Sequence, residues 1–407
     1  MLRPRFLDPA TYDALRRMSA GVLAAFRTAG EAALADPEFR RAFRLADWEE
    51  ALIARMPRTP ALAPLSRVDA FIDPADGVAR LTEFNAETPA GTGYVDVLAE
   101  LFLALPVMRH FARDWVVRPL PARHLLLGVL LDTWQAVRGT RAVPSIALVD
   151  WDDVPTMSEF RIVRDYASAM GIPLRITTPA ALAYAGGVLR DADGTVIDLV
   201  YTRVLLHELV AEGGIDHPLL RAVTDGAVIM VNGIHGKPLH KKASLAVLTD
   251  ERHAARFSAT EREAIRRHVP WTRVVEERHT ELDGQTIDLL PWIARHREML
   301  VLKPNDDYGG AGIVLGWETD QAEWERAVAR AVAEPYVVQR RIALPSEPFA
   351  AVVDGTLVLD DRIVDTAPFC WHGTHMDGML TRISTSTLVN VTAGGGSTIP
   401  TFVVEPR

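Results

Sequence analysis

Apolar positions fall into two rhythms along the chain. After Asp8-Pro9, an N-cap followed by a first-turn proline, Leu15, Met18, Val22 and Phe26 recur at helical spacing up to Gly30. Phe39, Phe43, Trp48 and Leu52 continue that rhythm over residues 36–56, until the prolines of residues 57–64 break it. Residues 1–65 therefore read as a helical scaffold. From Ser66 the rhythm shortens to two: RVDAFID, a turn at PADG, then VARLTEFN predict a hairpin. Alternation over Ala79, Leu81, Glu83 and Asn85 puts Glu83 and Asn85 on one face, about 7 Å apart along the strand, with Asp69 on the partner strand. A small-residue loop, TPAGTG, leads into a helix with Val95, Leu98, Leu101, Phe102 and Leu105 inside. Residues 66–124 form this second segment.

Residues 125–232 alternate helical and strand-like stretches, the pattern of a small α/β unit with parallel strands. A helix is expected near residues 179–184, between the strands PLRIT and IDLVYTR. Asp150 and Asp152 fall at a strand's carboxyl end, where open α/β sheets bind ligands. They are candidate substrate contacts; the alternative is ordinary loop acids. In the last segment, residues 233–407, Lys241 and Lys242 open a helix, where they oppose its dipole unless an anion compensates them. A solvated basic pair is the plain alternative.

The stretch VLKPNDDYGGAGIVL, residues 301–315, predicts two strands joined by a glycine-rich turn. Gly309, Gly310 and Gly312 carry no Cβ, so backbone N–H groups can close on an anionic oxygen. Lys303 stands at the strand's end; one ammonium about 4 Å from a phosphate oxygen is worth roughly 4 kcal/mol at an effective dielectric near 20. Neither GxxxxGK[ST] nor GxGxxG is present, so a surface hairpin remains the alternative at this point. Beyond it, PYVVQRRI reads as a strand ending in polar residues, a candidate adenine hinge through Gln339, Arg340 and Ile342. Near the end of the chain stands a second glycine cluster, Gly394, Gly395 and Gly396.

Composition narrows the partners. With 53 acidic against 44 basic residues, the net charge of −9 argues against a nucleic-acid surface and for small-molecule substrates. A single cysteine, Cys370, excludes internal disulfides and a cysteine zinc site, so a reducing compartment is expected. The N-terminal residues lack a signal-peptide core, and no apolar run reaches about 18 residues. The expectation is a cytoplasmic protein with no membrane partner. Glu83 and Asn85 can converge on Mg²⁺, which takes one or two protein carboxylates plus phosphates and water, and Asp69 can add an oxygen. A solvent-facing pair is the alternative.

RVD, EFNAETPAG, HKKASL, VLKPNDDYGGAG and GMLTRIS with NVTAGGG, in that order, resemble the circularly permuted ATP-grasp ligases, the group of eukaryotic glutathione synthetase and the synthetase half of glutathionylspermidine synthetase. The resemblance runs from about Ser66 to the C-terminus. It implies an α/β fold: a circularly permuted ATP-grasp with an inserted small parallel α/β substrate domain. It implies that Asp69, Glu83 and Asn85 hold Mg²⁺, with Mn²⁺ as a substitute and two ions in the site, and that Arg67 touches the transferred phosphate. Lys242, or less readily Lys241, and Lys303 would bind ATP phosphates beneath a mobile loop from Asp306 through Asp307 to Gly312, and Gln339, Arg340 and Ile342 would meet adenine. Arg382 would orient the carboxylate substrate under a second loop, Gly394 to Gly396. The family's loop glutamate is replaced here by the shorter Asp306 and Asp307. No tripeptide-substrate residues or amidase-like domain are recognisable, so glutathione is not the expected product.

The expected activity is an ATP- and Mg-dependent, ADP-forming ligase that joins a carboxylate to an amine through an acyl phosphate. Positioning and charge neutralisation would do most of the work, without a side-chain nucleophile. A phosphotransferase, or a nucleotide-binding accessory protein without turnover, would use the same cradle.

Overall fold

A computed structural model describes residues 1–306, 310–389 and 396–407. Asp8 caps the first helix, Pro9–Ala35, by accepting from the Thr11 N–H. This helix outruns the expected stop at Gly30, because Gly30 packs against Leu62 and Leu239 inside the core. Residues 36–56 do not make one helix: Pro37–Arg40 and the 3-10 turn Arg41–Phe43 end at Arg44, whose φ of 55° is left-handed, and Asp47–Arg55 starts anew.

Among the described residues, two antiparallel sheets frame the centre of the molecule. The larger joins Leu65–Ile72 and Ala79–Asn85 to Ala367–Trp371, His375–Ser384, Thr356–Val364, Ser346–Val353 and Gly396–Ile399. The smaller runs Thr272–Val274, Tyr336–Arg340, Leu300–Pro304, Val314–Leu315. Strand alternation explains its two faces: Leu300, Leu302 and Val338 are fully buried against Trp324 and Ile293, which leaves Val301, Lys303 and Gln339 on the opposite face. The expected hairpin pairs as Val301 with Leu315.

The unit over residues 125–232 has its sheet in the order Ile229–Val231, Leu199–Thr202, Ile146–Val149, Leu174–Thr177, with every pair parallel. The helix expected near residues 179–184 is instead one 3-10 turn, Pro179–Ala181, followed by the strand Ala183–Ala185. Gly186 and Gly187, both at positive φ, turn that strand back onto Val188–Arg190, the conformation a two-residue hairpin needs.

The first hairpin carries a bulge that simple alternation does not foresee. Asp69 pairs with Glu83 but Ala70 pairs with Leu81, so Thr82 is the extra residue. Ala79 and Leu81 thereby join the core with Val68 and Phe84, whose ring stacks on Phe26 of the first helix at 4.2 Å. Glu83 is released to the other face, with Asp69 opposite.

Candidate functional site

Between the two antiparallel sheets lies a cavity of about 170 Å³. Asp69, Thr82 and Glu83 line it from the first hairpin, Val301 and Lys303 from the smaller sheet, and Arg382 from the strand His375–Ser384. Gln339, Arg340 and Ile342 border it along the expected hinge, and Gly310, Ile313, Leu315 and Leu388 add an apolar rim. Apolar side chains thus share the cavity wall with both acidic and basic groups.

Lys303 is buried, and its ammonium donates to Gln339 Oε1 at 2.7 Å and to the Thr82 carbonyl at 2.9 Å. The bulge is what frees that carbonyl. Burial lowers the Lys303 pKa to about 8; Glu83 pulls it back upward, and Lys242 pushes it further down. The Lys242 ammonium stands 3.9 Å from Glu83 Oε1, and its backbone N–H donates to the Asn305 carbonyl at 2.9 Å. Lys242 caps the helix Ala243–Thr249, whereas Lys241 lies between that helix and Lys237–His240.

Arg67, Asp69, Asp365 and Arg382 form a continuous ionic chain. Arg67 grips both Asp69 oxygens, at 2.7 and 3.0 Å, and donates to the Ala90 carbonyl at 2.8 Å. Arg382 donates to Asp69 Oδ2 at 2.8 Å and to Asp365. Burial would raise the Asp69 pKa, but the two guanidiniums hold it far below the usual carboxylate range. Asp69 is therefore saturated by arginine. The fit to magnesium rests on Glu83 and Asn85, two residues apart on one strand: the Glu83 carboxylate is a quarter exposed and lines the cavity, and Asn85 is partly buried beyond its lining. One carboxylate and one amide oxygen, completed by phosphates and water, suffice for that ion.

Other expected residues stand elsewhere. The Lys241 ammonium is 2.7 Å from Glu49 and from Asp306, so both Lys241 and Asp306 turn into a buried ionic cluster rather than the cavity wall. Gln339 orients Lys303 and donates to Thr272 Oγ1, while Arg340 reaches Asp283 at 3.0 Å. Gly312 is at positive φ beyond the cavity rim, and Gly396 pairs with Ser384. Asp307, Gly309, Gly394 and Gly395 lie outside the described residues.

Asp150 is buried at the carboxyl end of the parallel sheet, where desolvation raises its pKa, whereas Asp152 is exposed nearby. Neither lines the cavity. Sequence reasoning passed over Arg203 at the end of the adjacent strand. Its guanidinium donates to the Thr88 and Pro89 carbonyls at 2.9 and 2.6 Å. Glu159 accepts from the Gly91 and Gly93 N–H groups at 2.7 and 3.1 Å. Together they hold the TPAGTG loop whose Ala90 carbonyl holds Arg67. The signal was an arginine directly after the mostly apolar strand LVYT.

No family model matches the chain. Uncharacterised proteins of Mycobacterium bovis and Mycobacterium tuberculosis are 35% identical over 142 residues, which cover 33% of this chain and 24% of theirs. The match thus spans about a quarter of the length of these relatives. A glutathione synthetase-like effector from Globodera pallida, solved in its apo form, superposes with a TM-score of 0.59 over 98% of this chain and 89% of that one, at 14% identity. D-alanyl-alanine synthetase A from Vibrio cholerae reaches a TM-score of 0.26 over 55% of this chain, too slight a likeness to bear on the fold. The chain thus shares the fold of the glutathione synthetase-like effector over nearly its whole length. No helix of the described residues is long and apolar enough to cross a membrane.

Proposed function

We propose that this chain is an ATP- and Mg²⁺-dependent ligase that joins a small-molecule carboxylate to an amine, releasing ADP and phosphate. The observation that carries the reading is the placement of Lys303, a desolvated lysine that no carboxylate among the described residues meets in a salt bridge, across one cavity from Glu83. Such a lysine gains from an anion, and such a carboxylate gains from a cation. A nucleotide phosphate with its magnesium supplies both.

In this reading adenine lies against Ile342 and Leu315, and the phosphates extend toward Lys303 on the cavity wall and Lys242 behind Glu83. Glu83 and Asn85 would hold the metal, which when bound neutralises phosphate charge. The carboxylate of the acid substrate attacks the γ-phosphorus of ATP; ADP leaves, and an acyl phosphate forms. Arg67 and Arg382, pre-positioned on Asp69, stabilise charge on the transferred group and orient the acid. The amine then attacks the acyl carbon, phosphate departs with the bonding pair, and the amine loses a proton. The carboxyl end of the parallel sheet, with Asp150, Asp152 and Arg203, faces the loop that carries Ala90, and is the proposed entry for substrate. ADP release measured with and without panels of carboxylates and amines tests this. Release that needs both an acid and an amine is expected. Release with an acid or alcohol alone would make the chain a phosphotransferase.

A further inference from the structure

Behind the cavity, the strand that bears Lys303 is followed by Asn305 and Asp306, the first tied directly to the N-terminal segment and the second through Lys241 and Glu49. The Asn305 side-chain amide donates to the Phe43 and Arg44 carbonyls at 3.0 and 3.3 Å, while its oxygen accepts from the Ala243 N–H at 2.8 Å. The Asp306 carboxylate lies 2.7 Å from the Lys241 ammonium and 3.0 Å from that of Lys237. Those lysines are in turn 2.7 Å from Glu49 and 2.6 Å from Glu87. Glu49 has no exposed surface and Lys237 has 1%.

Glu87, His240 and Asp306 bring ligand atoms within 4.8 Å of one another, an arrangement that can hold a metal ion. Here the Lys237 ammonium is already in contact with two of those three residues, so the resident cation is a side chain. Asp306 is thereby spent on lysines rather than left for magnesium.

We propose that Glu49, Lys237 and Lys241 are positioning residues: a buried ionic brace that fixes Asp306 and so holds the end of the Lys303 strand at the nucleotide cavity. Its consequence for nucleotide rests on the ligase reading; its consequence for the empty protein does not. Buried ion pairs add little net stability over apolar packing, but removing one partner strands a charge and the structure moves to solvate it. What moves is the strand end, because Asp306 is the brace's least buried member. Lys242 follows, since its N–H is bound to the Asn305 carbonyl.

The test is hydrogen exchange on the nucleotide-free full chain, followed by steady-state kinetics. In Lys241→Met and in the isosteric Glu49→Gln, the amides of Leu300 to Lys303, of Asn305 and of Val314–Leu315 should exchange about tenfold faster, while Ile146–Val149 and Leu199–Thr202 are unchanged. KM for ATP should rise by about tenfold in both variants and in Asp306→Asn, and added Mg²⁺ should not restore it. Lys241→Arg should rescue. If Lys241→Met fails to fold, Glu49→Gln carries the test. Unaltered exchange at the strand end in folded Glu49→Gln would overturn the brace. So would an effect confined to Asp306→Asn and reversed by Mg²⁺, the behaviour of a metal ligand.

Discussion

Lys303 and Lys237 are the same residue type, buried to nearly the same depth, in opposite electrostatic states. Lys237 meets three carboxylates; burial would lower its pKa, but Glu87, Asp306 and Glu49 together push it above the ordinary lysine range. Lys303 is bonded to a neutral amide and a carbonyl, and burial lowers it to about 8. One is a finished ion pair. The other is a cation under-neutralised by the protein and facing a cavity, which is where an anionic ligand gains most.

The contrast breaks most visibly in stability. Lys237→Met leaves Glu87 and Asp306 without their shared cation and should cost about 3–5 kcal/mol in urea unfolding. Lys303→Met removes a desolvated ammonium, whose burial cost offsets its two hydrogen bonds to neutral acceptors, and should change stability by less than about 1 kcal/mol. Equal costs would erase the distinction.

Catalysis should divide along the same line. Glu83→Gln keeps shape but loses charge, so ADP formation should fall roughly a hundredfold and recover partly with raised Mg²⁺ or Mn²⁺. Apo thermal stability should stay unchanged. Full activity at ordinary magnesium would return Glu83 and Asn85 to the status of strand polars.

A smaller effect follows from titration. In the nucleotide-free protein Lys303 loses its proton as pH rises through about 8, whereas the unfolded chain keeps it to about 10.4. Between those values the unfolded state binds more protons, so this group makes the folded state relatively more stable as pH rises; below about 8 its full burial cost is present. Phosphate favours the charged form. ATP binding near pH 8.5 to 9 should therefore take up a proton, seen as a dependence of calorimetric heat on buffer ionisation, and affinity should decline above about pH 8. Lys303→Met should abolish both. The smallest effect belongs to exposed Asp152: Asp152→Asn should leave stability within about 0.5 kcal/mol, and any change should appear in substrate KM alone.

Legibility in the sequence followed the range of the interactions. The two strands around the glycine-rich segment, the parallel unit and the first hairpin, with Asp69 and Glu83 on partner strands, are written in local rhythm and turn residues, and the structure has all three. The bulge at Thr82 was not, because a one-residue shift is invisible to a period of two. The brace was not either: Glu49 sat on a helix read as scaffold, and nothing local ties it to Lys241. A signal existed in the run IHGKPLHKKASLAVL, where three lysines and two histidines interrupt a largely apolar stretch. Nearly every residue of that run is buried, and buried charges need partners.

The central claim is that the cavity beside Lys303 takes ATP with its metal. It is tested most directly by titrating the full chain with ATP, with and without Mg²⁺, alongside Lys303→Met. The account predicts binding at one site, strengthened by Mg²⁺ and weakened by about tenfold or more in Lys303→Met. Absence of binding to the folded protein at millimolar nucleotide, or equal affinity in Lys303→Met, would contradict it.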